Sequence, residues 1–513
     1  MHILAKVAML ALPLASAIPH GDISSRSLIS DLAKLVNLTN ILPIPINSED
    51  RLQTALTNIR QQNFQNQVLE TTFAALLADV VANVAPQDVQ GALTQTATTL
   101  GNGAIGSSTI ENIAEAILNG LAVTDLTQNV LAGYLSGGNS FSNVNPAPPT
   151  TIYPRKSPQD APYTVPEAQL RAAVYIPPGF TYGAKRPICF VPGTGAFGYM
   201  NFISNLGKLF GNTYDPVYLN VPGAMYDDTQ INSQYIAYML NYISSITKRD
   251  DVAEISWSQG NLDTQWVFQY WPSTRSVVTD FISAAADFHG TTLAYFLDPA
   301  LVNPPLPPSV IQQEYDSNFV LTLRRGGGGS PYVNSTSVHS ISDQIVQPQY
   351  SPYASADYFT LDLPGTPNTN PTCPVSRNVP YTNTEIQTAC AGRPAGGVYT
   401  HEGVLYNPLM YALALDALQN DGPGRLDRID LNTVCQQLIA QGLTLADVQA
   451  TEGLIPLAAV NLLLYPRKVT NEPAVMQYAV QANSACSASS TSSSRTSTSS
   501  STTRSATGMT STT

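Results

Sequence analysis

A serine with small neighbours, placed between an apolar run and a segment of helical spacing, constrains this chain most. Residues 254–260 read Glu-Ile-Ser-Trp-Ser-Gln-Gly. A sharp turn from a strand into a helix exposes the side chain at its apex, and small neighbours let the backbone crowd around it. Ser258 would occupy that apex, with Ser256 and Gly260 as the small neighbours. The pattern predicts a strand–turn–helix unit that presents Ser258 as a nucleophile.

A serine at neutral pH needs a base within hydrogen-bond reach before it becomes a useful nucleophile. The predicted turn resembles the nucleophile elbow of α/β-hydrolases, where an acidic residue and then a histidine follow the serine along the chain. The histidines are His2, His20, His289, His339 and His401. His401 leaves ample room for an acid-bearing strand after Ser258 and lies in a polar loop before a helical run. It is therefore the predicted base.

Two aspartates are candidates for the acid that orients this histidine. Asp343 begins the loop after residues 336–341, whose alternating pattern is typical of a strand. Asp287 follows the apolar run 277–286 and is the alternative. In either case the carboxylate would hold the tautomer of the imidazole and stabilise the imidazolium without becoming protonated itself.

A glycine-rich loop is the candidate for the oxyanion site. Residues 189–195 read Cys-Phe-Val-Pro-Gly-Thr-Gly, a short apolar strand that runs into glycines. In a fold with a nucleophile elbow this loop supplies one oxyanion donor, and the backbone N–H after the serine, here Gln259, supplies the other. The Lys-Ser/Thr pair of a phosphate-binding loop does not follow these glycines, so phosphate binding is not indicated.

Four segments together resemble the fungal lipase B family of α/β-hydrolases. They are residues 191–195, 257–260, 343–349 and 401–403, with further agreement at 270–276 and 287–291. The resemblance covers roughly residues 161–486. It implies an α/β fold with a mostly parallel central sheet, here preceded by a helical N-terminal region. It also implies a lipase or carboxylesterase that hydrolyses acylglycerol-type esters through an acyl-enzyme.

Carried over position by position, the resemblance implies roles for five residues. Ser258 would be the nucleophile, Asp343 the acid and His401 the base. Thr194 would offer its backbone N–H and its hydroxyl to the oxyanion, and Gln259 would offer its backbone N–H.

The same resemblance implies a substrate pocket. Its residues would be Trp257, Asp287, Gln313, Ile345 and Val346. Trp257 would limit the alcohol side of the pocket. Asp287 and Gln313 would be polar groups near the acyl side, while Ile345 and Val346 would form apolar walls.

The chain also departs from the family pattern. Ser256 stands where the family has threonine, and Phe197 is bulkier than the family's residue in the loop after the glycines, which leaves the width of the acyl pocket open. Residues 444–465 match the mobile helix at the pocket mouth. Leu454 and Leu457 are either mouth residues or core residues of that helix.

Five cysteines in an oxidising compartment imply at least one left without a partner. Cys390 and Cys435 occupy positions that resemble one family disulfide. Cys189 lies in an apolar strand and is predicted to be a buried free thiol, whereas Cys373 and Cys486 could pair with each other.

The two ends of the chain predict an extracellular protein. Residues 1–17 combine a weakly basic start, an apolar stretch and an Ala-Ser-Ala cleavage site, as a secretory signal peptide does. Residues 487–513 are almost wholly Ser and Thr, which predicts a disordered, O-glycosylated tail. Asn37 and Asn334 are possible N-glycan acceptors.

Between the ends, the pattern divides the chain into three parts. Residues 18–136 carry apolar stripes at helical spacing and are predicted to be a helical pro-region or accessory domain. Residues 137–166 are rich in Pro and Ser and form the predicted linker, with Arg155-Lys156 as a processing site. Residues 167–486 form the predicted lipase domain. Residues 324–329, Arg-Arg-Gly-Gly-Gly-Gly, are interpreted as a flexible surface loop.

The net charge of the chain limits the classes of partner it is expected to bind. The formal net charge is −12 and the computed isoelectric point is near 4.8, which disfavours nucleic acid and anionic surfaces. No Cys/His cluster has metal spacing, so no metal or cofactor is expected. The expected partner is an ester or lipid substrate, met by a secreted monomer through transient contact with a lipid interface and without a transmembrane anchor. Two alternatives stay open, a preference for polyesters or short-chain esters and a catalytically silent cell-wall or adhesion protein.

Overall fold

The computed structural model describes residues 137–292, 305–367 and 377–483, together with short helical stretches between residues 47 and 94. The predicted signal peptide, most of the helical N-terminal region, the Ser/Thr-rich tail, Cys373 and Cys486 lie outside the described residues. The division of the chain into domains therefore stays a prediction.

A seven-stranded sheet organises the described residues. The strands are β1 (Val174–Tyr175), β2 (Pro187–Val191), β3 (Asp215–Leu219), β4 (Val252–Trp257), β5 (Val278–Ala284), β6 (Asn334–His339) and β7 (Tyr381–Glu385). Their order across the sheet is β1-β3-β2-β4-β5-β6-β7, and β1 alone among them runs antiparallel to its neighbour. The prediction of a mostly parallel central sheet is confirmed.

The central strands are apolar because helices cover both faces of the sheet. All five residues of β2 and all six of β4 are buried. Cys189 and Val191 belong to the core on one face, while Ile188 and Phe190 belong to the core on the other. Strands buried on both sides are expected in parallel sheets, whose crossover helices lie on the two faces.

Twelve α-helices are described between residues 167 and 464. They are α1 (Glu167–Ala172), α2 (Gly198–Phe202), α3 (Leu206–Phe210), α4 (Thr229–Thr247), α5 (Gln259–Tyr270), α6 (Pro308–Gln312), α7 (Asn318–Leu323), α8 (Ile386–Ala389), α9 (Pro408–Gln419), α10 (Leu431–Val434), α11 (Leu445–Glu452) and α12 (Leu454–Leu464). Helices α4 and α5 supply Ile236, Leu240 and Trp266 to the first core, and α9 supplies Leu409 and Leu413 to the second. Two separate cores thus fix β4 from both sides. Within the described residues, no helix combines the length and apolarity needed to cross a membrane.

Local signals explain where several helices begin. Asp228 accepts a hydrogen bond from the N–H of Gln230 and so caps the 19-residue helix α4. Asn407 accepts from Leu409 N at the start of α9, whose first residue is a proline. Helix α5 instead starts directly after Ser258, whose side chain makes no cap. That hydroxyl is therefore not committed to the helix it precedes.

Residues 137–166 lie against the rest of the described fold. The side chain of Asn145 donates to the carbonyls of Arg171 and Val174 at 2.9 and 2.7 Å. Tyr242 OH donates to Pro146 O at 2.8 Å. The ring of Phe141 packs 5.9 Å from that of Phe197. Although its composition is typical of a linker, this segment is held to the rest of the fold by hydrogen bonds and ring packing.

The interpretation of residues 324–329 as a flexible surface loop is wrong. Residues Arg324–Gly328 form a short π-helical turn that continues α7, and Gly326, Gly327 and Gly328 are buried. A Cβ at Gly326 would lie only 1.9 Å from Gln269 Nε2. Gly326 therefore serves close packing of this turn on α5, while Gly327, at φ 92°, takes a backbone conformation that favours glycine.

Candidate active site

The carboxyl ends of the parallel strands meet at one edge of the sheet, and the predicted site residues follow them. Thr194 comes after β2, Ser258 after β4, Asp287 after β5 and Asp343 after β6. His401 lies in the loop that leads from β7 and α8 towards α9. Binding sites of open α/β sheets form at this edge because the connecting loops converge there.

Ser258 occupies a sharp turn between β4 and α5. Its backbone has φ 55° and ψ −132°, a conformation that costs a non-glycine residue about 1–3 kcal/mol and persists only when the surroundings impose it. Its N–H donates to Ala284 O at 3.1 Å. A Cβ at Gly260 would lie 2.7 Å from Pro192 O, and one at Gly193 would lie 2.8 Å from the Ser258 Cβ. The small residues therefore allow the glycine-rich loop after β2 to approach the turn.

His401 and Asp343 form a short hydrogen-bonded pair. Nδ1 of His401 lies 2.6 Å from Oδ2 of Asp343, and both side chains are almost fully buried. The other oxygen of Asp343 accepts the N–H groups of Ile345 and Val346 at 2.8 and 2.7 Å. Hydrogen bonds to both of its oxygens thus fix the orientation of the Asp343 carboxylate. The buried Nε2 of His401 has no hydrogen-bond partner, which leaves it able to take a proton.

Trp257 brings the imidazole beside the turn. Its Nε1 donates to the carbonyl of His401 at 3.0 Å, and its ring centroid lies 4.8 Å from that of the imidazole. Since Ser258 follows Trp257 in the chain, this contact couples the histidine loop to the turn that carries the serine. The tryptophan predicted to limit the pocket therefore also supports the histidine.

Thr194 lies at the centre of a polar network. Its hydroxyl is 2.7 Å from Gln259 Oε1 and 3.1 Å from Gln313 Oε1. Nε2 of Gln313 donates to Gln259 Oε1 at 3.1 Å. In this state the hydroxyl points at protein acceptors, so it must rotate to serve an oxyanion. The network joins Thr194 and Gln259, which the resemblance assigned to the oxyanion site, to Gln313, which it assigned to the acyl side.

The backbone on both sides of Thr194 is fixed. Gly193 N donates to Asn201 Oδ1 at 3.0 Å, and Gly195 N donates to Ala224 O at 2.8 Å. The N–H of Thr194 has no acceptor within the described part of the protein. The N–H of Gln259 is the first of helix α5, and the first N–H groups of a helix have no partner inside it. Two backbone donors are thus available beside the serine.

Asp287 is a fully buried carboxyl group without a partner. Both of its side-chain oxygens lack a hydrogen bond. Burial, together with the negative charge of Asp343, raises its pKa to about 7. It makes no pair with a histidine, so of the two candidate acids the structure places Asp343, and not Asp287, against His401.

The remaining predicted pocket residues follow Asp343 directly. Val346 is buried and Ile345 is half-buried. The carbonyl of Ile345 accepts a hydrogen bond from Thr291 at 3.0 Å. The loop that carries both apolar side chains is therefore tied to the loop after β5.

The segment predicted to form the pocket mouth consists of two helices, α11 and α12. Leu454 and Leu457 are both buried, and Leu454 belongs to the second core. Asn461 on α12 donates to the carbonyl of Gly195 at 2.8 Å. Tyr226 OH donates to the carbonyl of Ala458. Helix α12 thus rests directly on the glycine-rich loop that carries Thr194 and Gly195.

The other buried histidines are paired elsewhere. Nε2 of His289 is 3.1 Å from Asp362, and Nδ1 of His339 is 3.5 Å from Asp357. Burial lowers the pKa of His339 to about 4, so it stays neutral near pH 7. Among the described residues, no group of three or more His, Cys, Asp or Glu side chains could hold a metal ion.

Comparison with known proteins decides the family. No protein-family model matches the chain. Lipase B of Pseudozyma antarctica is 29% identical over 324 residues, which cover 62% of this chain and 86% of that protein. The crystal structure of Aspergillus fumigatus lipase B is 40% identical, with a TM-score of 0.72, and the match covers 83% of this chain and 99% of that one. The chain belongs to the fungal lipase B family.

Membership in the lipase B family makes the protein a lipase-like carboxylic ester hydrolase of the α/β-hydrolase fold. The disulfide implied by the resemblance to this family is confirmed, with Cys390 and Cys435 joined and their Cα atoms 5.3 Å apart. It ties the segment before the histidine loop to the end of α10. Cys189 is a buried free cysteine, and burial raises the pKa of its thiol.

Residues that the lipase B resemblance did not single out also shape the site. Asn201 and Asn461 hold the loop around Thr194, and Gln344 accepts the backbone N–H of His401 at 2.8 Å. These side chains act through tertiary contacts across many residues of sequence. No local motif marks them, although Gln344 stands beside Asp343 in a segment already singled out.

Proposed function

We propose that this protein is a secreted serine lipase or carboxylesterase that hydrolyses acylglycerol-type esters with Ser258, His401 and Asp343 as its catalytic triad. The observation that carries the proposal is the 2.6 Å pair between His401 Nδ1 and Asp343, with Nε2 of the imidazole unpartnered and its ring in contact with Trp257, the residue before the strained serine turn. A base in this arrangement can accept a proton only at Nε2, the atom that must face the nucleophile.

In the first half of the reaction Ser258 Oγ attacks the ester carbonyl while His401 Nε2 takes the hydroxyl proton. The carbonyl π electrons move to oxygen and give a tetrahedral oxyanion. When the oxyanion collapses, the C–O bond to the alcohol breaks and His401 returns the proton to the leaving oxygen. The products of this half are the free alcohol and an acyl group esterified to Ser258.

In the second half water takes the place of the serine hydroxyl. His401 removes a proton from the water as it attacks the acyl carbonyl, and the second oxyanion collapses by breaking the bond to Ser258 Oγ. The proton then returns to the serine, and the carboxylic acid leaves. Asp343 stays ionised throughout, since its role is to hold Nδ1–H and stabilise the imidazolium.

The oxyanion of both halves would be stabilised by Thr194 and Gln259. Their backbone N–H groups are fixed by the loop and by the start of α5, so little reorganisation is needed when charge develops. The hydroxyl of Thr194 would add a third donor after it turns away from the side-chain oxygen of Gln259, which it faces at 2.7 Å.

Substrate class and location rest on different supports. Two lipase B relatives, the half-buried Ile345 and the buried Val346 support an apolar acyl ester. Trp257 would limit the alcohol, while Asp287 and Gln313 would lie near the acyl side. The signal-like residues 1–17 and the Cys390–Cys435 disulfide support secretion, because disulfides persist in oxidising compartments. Residues 18–136 would be a pro-region or accessory domain ahead of the lipase domain.

A fluorescent alkyl phosphonate tests the nucleophile. The reagent should label the protein on Ser258, as mapped by mass spectrometry of the peptide, and release its leaving group. Ser258→Ala should abolish the adduct, whereas Ser276→Ala, at an exposed serine that bonds only to Ser273 O, should label like the unaltered protein. Folded protein that takes up no phosphonate would contradict the proposal.

Thr194→Val tests the oxyanion site. The change keeps the shape of the side chain and removes the hydroxyl, so kcat should fall about 100-fold with little change in KM. Thr213→Val, on the exposed loop before β3, is the matched control and should keep its activity. Steady-state hydrolysis of a chromogenic ester measures both, and an unchanged kcat in Thr194→Val would remove this residue from the oxyanion site.

A further inference from the structure

Two glutamates meet behind the predicted catalytic histidine. Glu402 follows His401 in the chain, and Glu452 is the last residue of α11. Only 3% of the Glu402 surface and 7% of the Glu452 surface are exposed. The carboxyl of Glu402 is a hydrogen-bond partner of Glu452. A buried contact between two acids is unusual, because burying a charge without a counter-charge is costly.

Hydrogen bonds connect the pair to the residues on both sides of His401. Glu452 Oε1 accepts the hydroxyl of Thr400 at 2.9 Å and that of Tyr406 at 2.7 Å. Gln344 Nε2 donates to Glu402 Oε2 at 3.0 Å, while Gln344 Oε1 accepts the N–H of His401 at 2.8 Å. Thr400, immediately before His401, is thus held by Glu452, while Glu402, immediately after it, belongs to the pair. The backbone N–H of His401 is connected to the pair through Gln344.

No basic group neutralises the pair. None of the ion pairs among the described residues includes Glu402 or Glu452. The titratable groups that face it are Tyr406, which is buried and donates to Glu452, and Asp343, which adds negative charge. Two carboxylates this close in a buried site cannot both be ionised, so one of them keeps a proton.

We propose that Glu402 and Glu452 share one proton, and that this carboxyl–carboxylate pair is the clamp that positions His401 for catalysis. The inference rests on the proposed function of His401 as the general base. Neither glutamate touches the substrate, so both are positioning residues.

The clamp also reaches the other half of the site. Helix α12 begins two residues after Glu452, and its Asn461 donates to the carbonyl of Gly195 in the oxyanion loop. The pair therefore joins the histidine loop to the same helical segment that rests on the oxyanion loop. Loss of the shared proton should loosen both at once.

The pair should make activity sensitive to alkaline pH. Burial raises the pKa of Glu402 well above the ordinary carboxyl range, the charge of Glu452 raises it further, and burial also raises the pKa of Glu452. A carboxyl whose folded pKa is raised stabilises the fold at low pH, and that contribution is lost as pH rises through the folded pKa. The clamp is therefore intact at low pH and fails as pH rises through the raised pKa of the pair.

The test compares pH profiles of kcat for the full chain with Glu452→Gln and Glu452→Ala. The unaltered protein should lose activity reversibly on the alkaline side. Glu452→Gln keeps an acceptor for Thr400 and Tyr406 but needs no shared proton, so its alkaline loss should disappear. Glu452→Ala should lower kcat about 100-fold at neutral pH with little change in KM, since small misplacement of a catalytic group has that effect, and the glutamine should recover most of it.

Two further measurements keep the outcomes separate. Glu385→Gln is the control, because Glu385 also accepts a threonine hydroxyl, that of Thr388 at 2.6 Å, but lies away from His401. It should keep the alkaline loss. If Glu452→Gln keeps it as well, the clamp is refuted.

If the unaltered protein neither hydrolyses esters nor takes up phosphonate, the proposed function fails, and the pair is then judged by melting temperature. That temperature should fall more from pH 7 to 10 in the unaltered protein than in Glu452→Gln, and an equal fall would refute the pair.

Discussion

Asp343→Asn should lower kcat about 10⁴-fold while leaving the fold and KM nearly unchanged. An asparagine amide in place of the Asp343 carboxylate would donate a hydrogen bond towards Nδ1 of His401, which now lies 2.6 Å from Oδ2. The imidazole would then carry its proton on Nε2 and could not accept one from the serine. Steady-state kinetics with a soluble ester, together with a circular dichroism spectrum, measures the effect.

The structure offers a matched control for that substitution. Asp357 also stands beside a buried histidine, His339, but at 3.5 Å and at the end of β6. Asp357→Asn should lower kcat less than tenfold, since no role in the reaction is assigned to it. A large loss in Asp287→Asn combined with a small loss in Asp343→Asn would instead assign the acid to the rival aspartate after β5.

Removing the Cys390–Cys435 disulfide should lower the free energy of unfolding by about 4 kcal/mol. The bond links residues 45 apart in sequence. In the chain-entropy description, a loop of this length restricts the unfolded chain by about that amount. Urea unfolding of the Cys390→Ala/Cys435→Ala double variant, followed by tryptophan fluorescence, gives the difference.

The two single variants sharpen this measurement. Either one breaks the same bond, so Cys390→Ala and Cys435→Ala should each cost nearly as much as the double variant, and the effects should not add. Additive losses from the singles would mean that packing of the two side chains, rather than the bond, carries the stability.

The sequence identified the strand–turn–helix around Ser258 because its requirements are local. A glycine is needed at Gly260, where the approach of the Pro192 carbonyl leaves no room for a Cβ. The prediction of strand residues around His339 was also correct in kind, although β6 starts and ends two residues earlier than the pattern suggested. Alternation is visible in sequence, whereas the ends of a strand depend on its neighbours.

The choice between Asp343 and Asp287 could not be made from the residues alone. Both follow segments that become adjacent parallel strands, β6 and β5, and both emerge at the same edge of the sheet. Only the path of the histidine loop, which comes from beyond β7, decides which carboxylate meets the imidazole. That path depends on tertiary packing.

Features that depend on distant contacts were missed or misinterpreted. Residues 324–329 were interpreted as a flexible loop because a sequence does not show that Gln269 packs against Gly326. The acid pair gave no signal either, since Glu402 and Glu452 are 50 positions apart and each has the pattern of an ordinary polar residue. Burial of both is what gives them a role.

The hydrogen bonds of residues 137–146 bear on how this protein could mature. Beyond the contacts of Asn145 and Pro146, Asn139 Oδ1 accepts the N–H of Met200 at 2.9 Å, next to the loop that carries Phe197. A cut at Arg155-Lys156 would leave every one of these bonds intact. Cleavage there would yield a two-chain enzyme. Its upstream fragment would stay bound to the downstream fragment through these noncovalent contacts. Intact mass measured under native conditions would then exceed that of either fragment measured after denaturation.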